Sequence, residues 1–559
     1  DYVHLYVSAG TSPISWSFIG SSACTVSGGV EDKTFIYTPS ADNWYVIRAV
    51  VTGATASTCP GGSYDEVDDI AVRVGGVPPV PSGFDVQFVS PDIARVLWDD
   101  VVGETYYQLL SAPSSSGTFT EDTPHSPFPA NTTYHDHAGL QPGQTLCFKL
   151  RACNGVGCSV FTGVKCVGTP YEEAKYCPSS ESSGAIMFSV IAGDIRGDYA
   201  GMEIFAVNNT GTNAYYTGTK AYLISASGST VWNYSIGRAV WSVPAIGDVD
   251  GDSRPDIVIG VDDGRVMVFD GGGYKAQISL CGIVRAVTLV DVDENGDYEI
   301  IAVAKRCNRV YVLDWSESGL QVLRRFDLSS DSDNNSYAVW YKNTIYVTGL
   351  SGNLYIFDYP SYSTTVVNIV SGYGLDTPAI GDVDGDGEKE VVFGGRGGKV
   401  YIRGLDGASE GSVDLTSYVG SATCFRLSLG DANSDGIEEI YVAATDCGNV
   451  GQSYLLIIKW NGSTYQVGWV TNPIEGVNVS HPVIADFDLG YPGGEVATIA
   501  HDGSLHIYRS SDGSAISTGN LRFGGNGGRG GISVIDVDGD GRQNLVFGDR
   551  SGCIHIYEF

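Results

Sequence analysis

The chain has 559 residues with 32 basic and 65 acidic side chains, a formal net charge of −33, although only 17% of its residues are charged. So acidic a surface repels nucleic acid and anionic lipid and favours solubility, and no apolar run reaches the length of a bilayer span. Twelve cysteines set the expectation of an oxidising, extracellular setting, and a chain that opens on Asp1 rather than Met is expected to follow processing.

Residues 1–76 contain the strand-like runs DYVHLYVSAG, YTPSADNWYVIRAVVTG and DDIAVRVG. Residues 77–170 contain their counterparts, TYYQLLSAPS, LQPGQTLCFKLRACNG and FTGVKCVG, preceded by a proline-rich entry and a strand carrying Trp98. The second stretch resembles a fibronectin type III domain, through Trp98, the phrase GLQPGQT and short strands throughout. That resemblance implies a β-sandwich that spaces or binds, and says little more about function. Residues 1–76 then read as an incomplete sandwich in which nothing corresponds to the first two strands. An open sandwich exposes an unpaired edge, a template for a strand from elsewhere. An identical subunit is the expected donor, the alternative being a chain cut from a longer protein. His135 and His137, in YHDH, read as surface residues of one strand.

From residue 171 to 559 one phrase recurs. IGDVDGDSRPDIVIG, starting at Ile246, returns as LVDVDENGDYEIIAV, IGDVDGDGEKEVVFG, LGDANSDGIEEIYVA and VIDVDGDGRQNLVFG. Each copy predicts a strand, an acidic loop and a strand. Within the loop, side-chain oxygens fall at positions 1, 3, 5 and 9, an alternation that gathers hard ligands around one cation, while position 7 offers a carbonyl. Calcium suits such a donor set. An EF-hand is excluded, since position 12 after Asp248 is Ile259 in a β-rich run.

The loops begin at Asp194, Asp248, Asp291, Asp382, Asp431, Asp486 and Asp536, spaced by about 50 residues except for one double gap. Inside that gap SYAVWYKNTIYVTGLSGNLYIFDY reads as the same module with a tight Lys342-Asn343 connection. Eight modules of short β-branched and aromatic strands predict an all-β fold, an eight-bladed propeller closed into a ring.

These modules resemble FG-GAP or VCBS-type repeats, the calcium-loop propellers of integrin alpha-chain heads and of secreted microbial surface proteins. The resemblance implies as ligands Asp248, Asp250, Asp252 and Asp256; Asp291, Asp293, Asn295 and Glu299; Asp382, Asp384, Asp386 and Glu390; Asp431, Asn433, Asp435 and Glu439; and Asp536, Asp538, Asp540 and Asn544. Two loops depart from the pattern. One has Asp194, Asp198 and Glu203, with Arg196 at position 3; the other has Asp486, Asp488 and Glu495, with Gly490 at position 5. About five calcium ions are expected, up to seven, holding loops rather than reacting.

Cysteine positions give a pairing scheme. Cys281 with Cys307, and Cys424 with Cys447, recur at equivalent places in two modules; Cys153 and Cys158 flank a turn, with Cys147 and Cys166 further out, and Cys24 pairs with Cys59. Cys177 with Cys553 is expected to lock the ends of the ring together. Sequons at Asn131, Asn208, Asn233, Asn334, Asn461 and Asn478 predict glycosylation.

No HExxH motif or phosphate loop occurs, and the tripeptide Arg196-Gly197-Asp198 lies inside a loop of the metal type. The expectation is a non-enzymatic, secreted structural or adhesive protein, a subunit of a filament or surface layer, whose partners are identical subunits or matrix components. The alternatives are a carbohydrate- or protein-binding surface receptor and, behind it, a calcium-dependent polysaccharide lyase.

Overall fold

In the computed structural model the described residues are the backbone of the strands within 2–74 and residues 77–558, less 91–92, 123–125, 142–143, 169–170, 179–183, 186–189, 199–200, 211–217, 329–336, 360, 372–373, 396, 420–422, 447–452, 475–479, 487–492, 501–502, 523–530 and 550. The chain separates into two compact units, one formed by residues 1–86, 96–135 and 146–165, the other by 87–95, 136–145 and 166–559.

The N-terminal region has a four-stranded antiparallel sheet in the order Ser17–Ala23, Tyr2–Ala9, Asn43–Thr52, Glu66–Val74. One strand more than the sequence reading is present. Beyond residue 77 come a three-stranded and a five-stranded sheet. Alternate residues of Tyr106–Ala112 and Thr145–Cys153 turn inward, placing Tyr107, Leu109, Phe148 and Leu150 in a core with no exposed surface. Trp98 packs there against Tyr107 and Phe128, with ring centroids 5.5 and 5.9 Å away. His135 is not a surface residue: it is 8% exposed, packs at a tilt against Phe128 with ring centroids 4.7 Å apart, and lies 3.3 Å from the buried Asp122 carboxylate. Strand alternation assigns a face, and here that face is the inner one.

The larger unit repeats one sheet. Among the described residues there are eight such sheets, each antiparallel, and the second to seventh have four strands in sequence order. The first holds Val190–Gly193, Glu203–Thr210, Lys220–Ile224 and Thr230–Ser235, and pairs also with Gly184–Ala185. The second holds Ala245–Gly247, Asp256–Gly260, Arg265–Asp270 and Gly273–Ser279, and the third Ile283–Val290, Glu299–Lys305, Arg309–Ser316 and Gly319–Asp327. The fourth, fifth, sixth and seventh begin at Ala338, Ala379, Thr423 and Val483. The eighth takes three strands from the C-terminal end, Ser533–Ile535, Asn544–Gly548 and Ile554–Glu558, and its fourth, Tyr171–Tyr176, from before the first sheet.

Why the second strands are continuous apolar runs follows from what covers them. Side chains alternate along a strand, so Ile257 and Ile259 join a cluster with Phe205 and Leu223 of the first sheet, while Val258 joins one with Ile300 and Ala302 of the third. Both faces are dry. The same sharing continues round to a cluster of Val546, Ile554 and Ile556 with Ile204 and Tyr222, which joins the eighth sheet to the first. First strands likewise touch in succession, and Ser533–Ile535 touches Val190–Gly193. Among the described residues the second strands are thus covered on both faces, and the circular order of the sheets is what makes that possible.

Disulfides join Cys153 to Cys158, Cys281 to Cys307 and Cys177 to Cys553. Cys147, Cys166 and Cys424 are also disulfide-bonded, whereas Cys24, Cys59 and Cys447 lie outside the described residues. One sequon must be withdrawn. Asn208 sits inside a second strand with 1% exposure, leaving no room for a glycan on the folded chain; Asn131, Asn233 and Asn461 are exposed, and Asn334 and Asn478 fall outside the described residues.

Candidate metal loops

Each acidic loop joins the first and second strands of a sheet, and its backbone is organised by its own carboxylates. In all five regular loops the position 1 aspartate accepts the N–H of position 6: Ser253, Gly296, Gly387, Gly436 and Gly541, at 2.7 to 3.0 Å. The position 5 side chain accepts the N–H of position 7 at 2.8 to 2.9 Å. Positions 4 and 6 turn through positive φ in every copy, as at Gly385 (79°) and Gly387 (90°), which is why glycine dominates there. Ser253, Glu294 and Ser434 adopt the same conformation with side chains, a strain that the surrounding hydrogen bonds offset.

Position 9 begins the second strand and is buried. Asp256 and Glu299 are 1% exposed, Glu390 2% and Glu439 4%. One oxygen accepts the position 2 N–H, from Val249, Val292 or Val383, at 2.7 to 3.1 Å. Asn544 does the same with its amide oxygen toward Val537 at 2.7 Å. Ligand atoms of positions 1, 3 and 9 lie within 4.8 Å of one another for Asp248, Asp250 and Asp256, for Asp291, Asp293 and Glu299, and for Asp382, Asp384 and Glu390; in the last loop Asp536, Asp538 and Asp540 do so. In the remaining regular loop, 431–439, Glu439 accepts a hydrogen bond from the Asn433 amide and lies 3.7 Å from Lys459.

Burial drives the buried carboxyls up, Asp256 to about 6 and Glu299 and Glu390 each to about 7, with neighbouring loop acids adding to the effect. A dry carboxylate surrounded by like charges is the environment a hard divalent cation relieves. The donor set therefore fits calcium. The raised values also fix a sign. Without metal, the folded state keeps these protons and the unfolded state, with ordinary values near 4, does not. The penalty is absent below about pH 4 and complete above about pH 7. Metal-free protein is thus expected to lose stability as pH rises through that window. Urea unfolding in EDTA at pH 5 and 7.5 checks this, and a midpoint that rises with pH would contradict it.

The two irregular loops differ. Glu203 accepts the N–H groups of Ile195 and Arg196 at 2.9 and 2.8 Å, and the Arg196 guanidinium forms a two-pronged pair with Asp198 at 2.9 and 2.6 Å. Asp198 is held low by that hydrogen-bonded pair. The tripeptide Arg196-Gly197-Asp198 is therefore closed on itself, beside a cavity of roughly 750 Å³ lined also by Asp252 and Arg254. In the other loop Glu495 has no exposed surface and burial raises Asp486; Asp488 is outside the described residues.

Sequence reasoning missed one recurring feature. Where the third and fourth strands pair, near the start of the fourth, the register skips one residue: Val231, Lys275, Leu323, Glu410, Gly468, Ile516 and Glu173, in the first, second, third, fifth, sixth, seventh and eighth sheets, the seventh having a second shift further along. The fourth sheet, whose loop is the Lys342-Asn343 turn, pairs without a skip. A bulge re-aims its extra side chain. Lys275 reaches its own loop, with Nζ 2.5 Å from Asp250, 2.9 Å from Asp256 and 3.7 Å from Asp252. Glu173 accepts a hydrogen bond from the Asn544 amide at 3.0 Å.

No family model and no curated protein matches the chain. Solved structures do. The Sqt1 structure from Chaetomium thermophilum covers 69% of this chain and 97% of its own, at 13% identity and TM-score 0.50. BamB from Moraxella catarrhalis covers 70% of this chain and 98% of its own, at 13% identity and TM-score 0.46. At such identity the Sqt1 match speaks for the fold alone, and with the repeated four-stranded sheets it makes the larger unit a β-propeller.

Proposed function

We propose that this chain is a secreted, calcium-stabilised, disulfide-braced structural or adhesive protein, built on an eight-bladed propeller of the FG-GAP or VCBS type behind fibronectin III-like domains. The observation that carries the reading is the loop geometry: five loops of one hydrogen-bonding pattern, four of them gathering three ligand atoms. Calcium would be held by positions 1, 3, 5 and 9, and would supply charge neutralisation and rigidity. The disulfides and the exposed sequons at Asn131, Asn233 and Asn461 support an extracellular setting.

Assembly is assigned to residues 1–76. Their four-stranded sheet has Ser17–Ala23 and Glu66–Val74 as its edges, and a strand donated by an identical subunit gives a head-to-tail contact that builds a filament when the rotation does not close. Deleting residues 1–76 is expected to leave a calcium-loaded monomer that no longer polymerises, as read by electron microscopy and light scattering. If the shortened chain forms the same polymers, or the full chain stays monomeric, the assembly role falls. A receptor reading is the second choice, favoured by the roughly 750 Å³ cavity beside the first loop.

A further inference from the structure

The bulge is present in the seven sheets that carry an acidic loop and absent from the fourth, which has none. Its position explains the association. The fourth strand starts at the same edge of the sheet as the loop between strands one and two, so a residue pushed out of the ladder there faces that loop. Three bulges carry charge, and their signs differ.

Lys275 is 16% exposed, and its ammonium is within hydrogen-bonding distance of two of its loop's carboxylates. A divalent ion shared by those oxygens would stand against a like charge, so metal and ammonium exclude one another. The Trp315 ring, 5.5 Å from Nζ, gives the displaced ammonium a face to rest on. Glu173 has the opposite sense. The loop it meets is the one whose ninth position is a neutral asparagine, and its carboxylate bonds that asparagine. Glu410 resembles Glu173: its Oε1 lies where a Cβ on Gly404 would be only 2.6 Å away, and Gly404 pairs directly with Glu390.

We infer that the bulged residue sets the calcium affinity of its own sheet's loop, Lys275 acting as an intrinsic counter-cation that makes loop 248–256 the weak, displaceable site, and Glu173 supplying the charge that loop 536–544 lacks at position 9. The inference rests on the calcium reading above and deepens it. Loop 248–256 is then a site that responds to changing calcium while the others stay filled.

Calcium titration of the full chain against a chromophoric chelator tests this, with melting curves in EDTA alongside. Wild-type protein is expected to show one site at least tenfold weaker than the rest. Lys275→Met should raise that site's affinity tenfold or more and lower the melting temperature in EDTA, because Asp250 and Asp256 lose their counter-charge. Lys275→Arg keeps a cation there and should stay weak. Glu173→Gln should weaken one tight site at least tenfold. Isotherms of Lys275→Met that superimpose on wild type, while calcium binds elsewhere, overturn the role of Lys275. An unchanged set of tight sites in a folded Glu173→Gln overturns that of Glu173. Wild-type protein that binds no calcium overturns the calcium reading itself.

Discussion

Chelation of calcium is expected to lower the melting temperature of the propeller unit by about 10 to 20 °C, the largest effect any single reagent short of a denaturant should have. Each site that binds only the folded state contributes about 2.7 kcal/mol when free calcium is a hundredfold above its dissociation constant. A handful of such sites is on the order of 10 kcal/mol, comparable with the whole net stability of an ordinary domain. The physical source is the buried position 9 acid: Glu299 and Glu390, almost without exposed surface, carry a desolvation cost that only a cation or a proton removes. Asp384→Ala separates the loop from general salt effects. It should lower the melting temperature in millimolar calcium and leave it nearly unchanged in EDTA, where Asp384 is one of several mutually repelling acids. Differential scanning calorimetry with and without EDTA reads both. Equal curves, together with no calcium by elemental analysis, would remove the metal assignment.

Much of this was legible in the sequence because the loop is a local device. Positions 1, 5, 6 and 7 bond to one another within a few residues, so the phrase GDVDGDG carries its own geometry wherever it occurs. Second strands such as Asp256–Gly260 announce burial on both faces by the unbroken apolar run, Ile257 to Ile259, that follows the acid. What could not be read were the contacts that depend on pairing. Lys275 meets its loop only because the register between Arg265–Asp270 and Gly273–Ser279 skips one residue, and nothing in GYKAQIS marks the skip. Glu173 is harder still, since it meets a loop 363 residues later in the chain through the closing strand. His135 and Asn208 were misplaced for a related reason. Alternation and a sequon are both local signals, and neither reports which face of a strand the rest of the fold covers.

Opening the ring should have the second large effect, and the closing strand is where to do it. Tyr171–Tyr176 pairs antiparallel with Ile554–Glu558, and Cys177 is bonded to Cys553 just beyond that ladder. The bond spans 376 residues, a loop whose closure entropy corresponds to about 5 to 6 kcal/mol in the chain-entropy model. Beside it His555, 1% exposed, is held between Glu172 at 2.5 Å and Asp549 at 3.1 Å. Burial would raise the Asp549 carboxyl, but hydrogen bonds from His555, Ser551 and Cys553 bring it below its ordinary range. Without these contacts the strand is held by one ladder, the Glu173–Asn544 hydrogen bond and the Tyr176 hydroxyl on the Ala226 carbonyl, and its loss would expose the Val546, Ile554 and Ile556 cluster that joins the eighth sheet to the first. The pair Cys177→Ser with Cys553→Ser is therefore expected to fold but to melt several degrees lower. Limited proteolysis should then cut first between residues 171 and 184, ahead of any cut within the second to seventh sheets. His555→Gln in the oxidised protein should give a smaller shift of the same sign, since the covalent bond still confines the strand. If the double variant melts with wild type and shows no early cut near the closing strand, packing between sheets rather than the clasp holds the ring shut.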